Sequence, residues 1–82
     1  MEVKRKTVEI IAGTSLISAE EIAAEDELAN LGVDSLKMIE LIMSLEDAFN
    51  IVFDDSDLEP SRLRTVGDMI ELTKKMIRGR MY

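Results

Sequence analysis

Chemistry in this chain could begin at Asp34-Ser35-Leu36. Gly32, three residues before the serine, permits a tight chain reversal, and the apolar spacing from Leu36 to Phe49 predicts about 14 residues of helix, with Asp34 or Ser35 suited to cap it. A hydroxyl at that point stands among backbone N–H groups that lack intrahelical partners, at the positive end of the helix dipole. Such a position favours a phosphate ester by partly neutralising the anion. A serine before a helix also serves simply as a cap, so the motif gains meaning from its surroundings.

Other chemistry fails for want of residues. There is no histidine and no cysteine, so the commonest general base and metal ligand, thiolate zinc sites and disulfides are all missing. Ser35 as a hydrolytic nucleophile would need a base, and Met38 stands where an S-x-x-K motif needs lysine. Asp55-Ser56-Asp57 opens like a calcium loop, but Pro60 falls at the sixth position, where glycine makes the turn, and Val66 at the twelfth, where a bidentate glutamate belongs. Neither a catalytic residue nor a metal site is expected.

The stretch Leu31-Gly32-Val33-Asp34-Ser35-Leu36, with Glu40-Leu41, Leu45-Glu46 and Phe49 after it, closely resembles the acyl and peptidyl carrier proteins. The likeness runs from the first apolar helix to Thr65-Val66. It implies an all-α fold, a small four-helix bundle of three longer helices plus a short third helix, and a single carrier domain over residues 1–82. It also implies that Ser35, flanked by Asp34 and Leu36, receives 4'-phosphopantetheine from coenzyme A through a phosphopantetheinyl transferase. The arm then holds an acyl or aminoacyl group as a thioester, passing it from a loading enzyme to downstream biosynthetic enzymes. On this reading the serine is an attachment point and the protein is not an enzyme. The alternatives are a fatty-acid carrier, and a non-carrier acidic helical interaction module with Ser35 unmodified or phosphorylated.

Two departures from bacterial fatty-acid carriers point toward polyketide or nonribosomal peptide metabolism. Lys37 follows D-S-L where fatty-acid carriers usually have an acid, and Leu28 precedes Leu31 by three residues where they usually have four. A chain beginning at Met1 and of this length reads as a free-standing carrier.

The elements that must position Ser35 follow from composition and periodicity. With 46% hydrophobic residues, one proline and four glycines, the chain favours helices over sheet and is too apolar for disorder. Val3, Thr7, Ile10 and Ile11 form one stripe of a first helix from about Glu2 to near Gly13, with Leu16 and Ile17 packing beyond it. Glu9 interrupts any signal-peptide core around Lys4-Arg5-Lys6. Ser18-Ala19-Glu20-Glu21 has the S-x-x-E pattern of a capping box, and Ile22 and Leu28 would pin the acidic loop between them. Pro60 suits the start of a short helix through about Leu63. Thr65 caps the last helix, with Asp68 at N3 and Val66, Met69, Ile70, Thr73 and Ile77 on its inner face. That helix has a basic end, and Gly79 is its expected stop.

The central helix carries two apolar stripes. Met38, Leu41, Ile42, Leu45 and Phe49 have core spacing, whereas Leu36, Ile39 and Met43 continue from Ser35 along an adjacent strip. With Glu40, Glu46 and Asp47, that strip is expected to be a partner surface. Formal charge is −7 overall, but residues 18–59 hold thirteen acids against Lys37 alone, a net −12. So acidic a centre disfavours nucleic acid and would steer partners with basic docking patches. No run approaches the roughly 18 apolar residues of a membrane span. A soluble, cytoplasmic, monomeric protein is expected.

Overall fold

Glu27 and Thr65 meet in an isolated antiparallel bridge, and around it two loops distant in sequence are stitched together. Leu28 N–H donates to the Arg64 carbonyl at 2.8 Å, Val66 N–H to Asp26 at 2.9 Å, and Gly67 N–H to Ala24 at 2.8 Å. A Cβ on Gly67 would lie 3.1 Å from the Ala24 carbonyl oxygen, so glycine is what lets the two strands of chain approach. The computed structural model describes residues 3–15, 17–59 and 61–80. The packing expected of Leu16 and the helical start expected at Pro60 lie outside them.

Three α-helices carry the fold: α1 (Val3–Thr14), α2 (Ser35–Phe49) and α3 (Val66–Arg80), with α1 packed on both others. Three 3₁₀ turns, Ala19–Glu21, Leu28–Leu31 and Asp55–Leu58, occupy the connections. The third of these is the bundle's short element, and it lies upstream of the span expected from Pro60 to Leu63, where Ser61 and Arg62 form a turn. Asp57 of this turn lies 3.8 Å from Lys75 of α3.

The core is built from Ile11 of α1, Leu41 and Leu45 of α2, and Val66 and Met69 of α3, all fully buried. Leu28, Ile51 and Phe53 close it from the loops. After α2, Ile51 and Phe53 are buried while Val52 between them is 79% exposed.

The caps explain where the helices begin and end. Thr65 and Asp68 complete the reciprocal box: Asp68 N–H donates to Thr65 Oγ1, and Thr65 N–H to Asp68 Oδ2, both at 3.1 Å. Arg64 N–H reaches the same carboxylate oxygen at 3.1 Å. These backbone donors, Thr65 first, outweigh desolvation and hold the Asp68 carboxyl below its ordinary pKa. Ser18 does not make the matching box, because its hydroxyl donates to the Glu21 carboxylate at 3.0 Å and caps no backbone group. Asn50 ends α2 in the left-handed region at φ 55°. Gly79 does not stop α3, which continues through Arg80.

Candidate functional site at Ser35

The turn into α2 is fixed on both sides of the serine. Leu28–Leu31 closes in a Schellman arrangement, with Val33 N–H on the Leu28 carbonyl at 3.1 Å and Gly32 N–H on Ala29 at 3.2 Å. Gly32 sits at φ 84°, a conformation that costs a residue with a Cβ. Val33 then buries its side chain and Asp34 caps the helix, its Oδ1 accepting from Lys37 N–H at 2.9 Å. Met38 N–H makes the first intrahelical bond, to the Asp34 carbonyl at 2.8 Å.

Ser35 is therefore the first residue of α2, and it is exposed. Among the described residues, its N–H and that of Leu36 have no hydrogen-bond partner. A phosphodiester on Ser35 Oγ fits here: the hydroxyl is accessible, two free donors lie beside it, and the positive end of a 15-residue helix faces it. The serine also lines an open cleft of about 400 Å3 whose apolar wall includes Val33, Met38, Leu58 and Leu63. Asp34, read from sequence as part of the attachment motif, has a visible task in capping α2.

The two stripes of α2 separate as their spacing predicts. Leu41, Ile42, Leu45 and Phe49 are buried, with Met38 partly so. Leu36, Ile39 and Met43 are 67%, 57% and 62% exposed. Glu40 and Asp47 are exposed beside this strip. Glu46 differs, since its Oε2 accepts from Phe53 N–H at 3.0 Å and so holds the loop after α2.

Sequence reasoning missed three features. Lys37 Nζ donates to the Thr14 carbonyl at 3.4 Å, supplying the positive charge that the last turn of α1 lacks. Val52 extends the exposed apolar surface past Met43, around a shallow groove. Arg64 and Glu27, 3.7 Å apart, stand on the cleft that Ser35 lines. Lys37 offered a signal as the lone base in the acidic centre, and Val52 as the middle one of three consecutive β-prone residues. Nothing local marks Arg64.

No helix among the described residues is long and apolar enough to cross a membrane. No group of three or more potential metal-ligating side chains occurs among them either.

Comparison with known proteins places this geometry. The family described as "Phosphopantetheine attachment site" matches residues 5–73. An acyl carrier protein of Desulforapulum autotrophicum is 43% identical over 77 residues, covering 92% of this chain and 97% of that protein. One from Porphyromonas gingivalis is 32% identical over 78 residues, covering 94% and 97%. The crystal structure of an acyl carrier protein from Thermotoga maritima superimposes with a TM-score of 0.74 at 31% identity, covering 90% of this chain and 85% of that one. A serine-bearing turn before a half-exposed helix, a match through most of the sequence and a shared fold give one result: the chain belongs to the acyl carrier proteins, non-enzymatic carriers of covalent 4'-phosphopantetheine.

Proposed function

We propose that Ser35 is the attachment residue, and that the chain is a single carrier domain moving acyl groups between biosynthetic enzymes in the cytoplasm. The observation that carries the assignment is an exposed hydroxyl at the first residue of α2, between two backbone N–H groups without partners. In loading, Ser35 Oγ gives up its proton to a base on the transferase and forms a bond to phosphorus, while the pyrophosphate bond of coenzyme A breaks and 3',5'-adenosine bisphosphate leaves. The chain's own part is to hold the hydroxyl outward on a rigid turn and to stabilise the new anion by the α2 dipole. The attached thiol supplies thioester chemistry, and tethering makes each later encounter effectively intramolecular.

Leu36, Ile39, Met43, Glu40 and Asp47 form the surface that loading and downstream enzymes grip in turn, an assignment supported by its exposure and continuity with Ser35. Flexible, polarisable Met43 suits a surface with several partners. Acyl cargo is favoured over aminoacyl because the relatives are acyl carrier proteins. For the pathway, the Leu28 to Leu31 spacing supports polyketide or nonribosomal peptide metabolism. Lys37, standing where fatty-acid carriers usually have an acid, supports the same choice, and it also contacts the Thr14 carbonyl. Overall similarity to proteins named simply acyl carrier protein supports a fatty-acid role.

The test is intact mass after incubation with coenzyme A and a broad-specificity transferase. The parent is expected to gain one arm and folded Ser35→Ala none, with the arm mapped to Ser35 by peptide sequencing. An arm on Ser15, Ser18 or Ser56 refutes the assignment. Loading the product with malonyl or amino-acid donors then separates the cargo classes.

A further inference from the structure

The cleft beside Ser35 carries an asymmetric set of charges. Glu27, Asp34 and Arg64 are its ionised lining residues, so Arg64 is its one cation among the described residues. Lys37 is nearer to Ser35 in sequence, but its ammonium is directed to the Thr14 carbonyl on α1. Arg64 has a fixed base: its N–H is held by Asp68 at 3.1 Å, and its carbonyl accepts from Leu28 N–H at 2.8 Å. Its guanidinium is free to move, with the side chain 65% exposed and its contact to a Glu27 side chain 48% exposed at 3.7 Å. An exposed ion pair of this kind is weak and easily exchanged.

We infer that Arg64 exchanges Glu27 for the phosphodiester on Ser35, holding the base of the arm along the cleft; this rests on Ser35 carrying the arm. A phosphodiester keeps one negative charge throughout the working pH range. Its arrival places a third anion beside Asp34 and Glu27, which raises the local demand for a cation. The planar guanidinium can give two parallel N–H bonds to phosphate oxygens, stronger and better directed than the contact it leaves. Glu27 is then a competitor that limits how long the arm is held, and a partner enzyme with a basic patch releases it by taking over the phosphate. Arg64 is a positioning residue in this scheme.

The experiment uses the full chain loaded with phosphopantetheine and two resonances. The first is the Arg64 side-chain Nε–Hε signal, compared before and after loading; the second is the 31P signal of the arm. Arg64→Ala is compared with Arg62→Ala, an equal loss of charge at an exposed neighbour that does not line the cleft. Loading is expected to shift the Arg64 Nε–Hε signal. Arg64→Ala is expected to shift and narrow the 31P signal beyond any change in Arg62→Ala, and Glu27→Gln to move it the opposite way. Arg64→Lys keeps the charge without the fork and is expected to fall between parent and Ala, which preserves the test if truncation disturbs the fold. The inference is overturned if Arg64 gives the same Nε–Hε signal with and without the arm, or if the 31P spectra of the Arg64 and Arg62 variants coincide. A chain that acquires no protein-bound 31P signal overturns the attachment itself, and this inference with it.

Discussion

Truncating one leucine on each stripe of α2 should separate stability from partner binding. Leu45 is fully buried, and Leu45→Ala removes its side chain from a closed core. Such truncations cost about 2–5 kcal/mol, the cavity adding to lost transfer energy. A domain of this size has roughly 4–12 kcal/mol of stability at 0.05–0.15 kcal/mol per residue, so the loss is a large fraction of the whole. Leu36 is 67% exposed. With about a third of the side chain withdrawn from water, Leu36→Ala forfeits a third of the roughly 1.5–3 kcal/mol of full burial, or about 0.5–1 kcal/mol. Alanine's higher helix propensity returns part of that.

At about 4–8 °C per kcal/mol for a domain of this length, Leu36→Ala should lower the unfolding midpoint by a few degrees. Leu45→Ala should lower it by at least about 8 °C. Circular dichroism melts measure both. The order should reverse in single-turnover loading and acyl-transfer assays run below all the midpoints: Leu36→Ala and Met43→Ala slow them, while Leu45→Ala leaves them near the parent rate. Equal loss of stability at Leu36 and Leu45 would refute the two-stripe assignment. Unchanged transfer in both strip variants would refute the partner surface.

Three further outcomes are expected. Glu40→Lys with Asp47→Lys should slow transferase association and flatten its salt dependence, since the Debye length shrinks from about 10 Å at 0.1 M to about 3 Å at 1 M; Glu9→Lys with Glu71→Lys, an equal charge change on α1 and α3, is the control, and equal slowing there would make net charge the cause. Asp68 binds its proton less tightly when folded, so the stability it contributes is fully present above the ordinary value of 3.8 and is lost as pH falls through the lower folded value. Asp68→Asn should therefore flatten the acid limb of a melting-point titration, and an unaltered limb would remove the capping box from the account. Lys37→Met should lower the midpoint slightly without affecting transfer, as befits a tie to Thr14, and impaired transfer at full stability would instead make Lys37 a partner contact.

What the sequence disclosed about this site is what short-range geometry encodes. The Asp34 cap, the Thr65–Asp68 box and the α2 stripes all depend on side chains three or four residues apart, a spacing visible in one dimension. The seam from Ala24–Leu28 to Arg64–Gly67 was not legible, because its bonds run between backbone groups that every residue except proline carries. For the same reason the contact of the Lys37 ammonium with a carbonyl of another helix leaves no trace in the sequence. Glu46, expected on the docking strip, also accepts from the Phe53 N–H, and nothing in its local sequence announces that bond. The short element lies at Asp55–Leu58, upstream of the span that Pro60 suggested, and Ser61-Arg62 form a turn instead.

The unseen seam governs how the attachment point can work. An attachment serine must be exposed enough for a transferase to reach it, which argues for a loop, yet it must also stand at a constant place relative to the surface that enzymes grip. With Ser35 as the proposed attachment residue and Leu36, Ile39 and Met43 as the proposed docking strip, both conditions are met, because all four belong to one helix and the turn before it is fastened through Leu28 to the backbone of Arg64. The distance from docking strip to hydroxyl is therefore set by helix geometry, about 1.5 Å of rise per residue, and only the arm beyond the oxygen is free to move. A partner that has seated itself on α2 then searches the arm's range of motion alone. That confines the search to a small volume, and it is the physical basis of the high effective concentration a carrier provides.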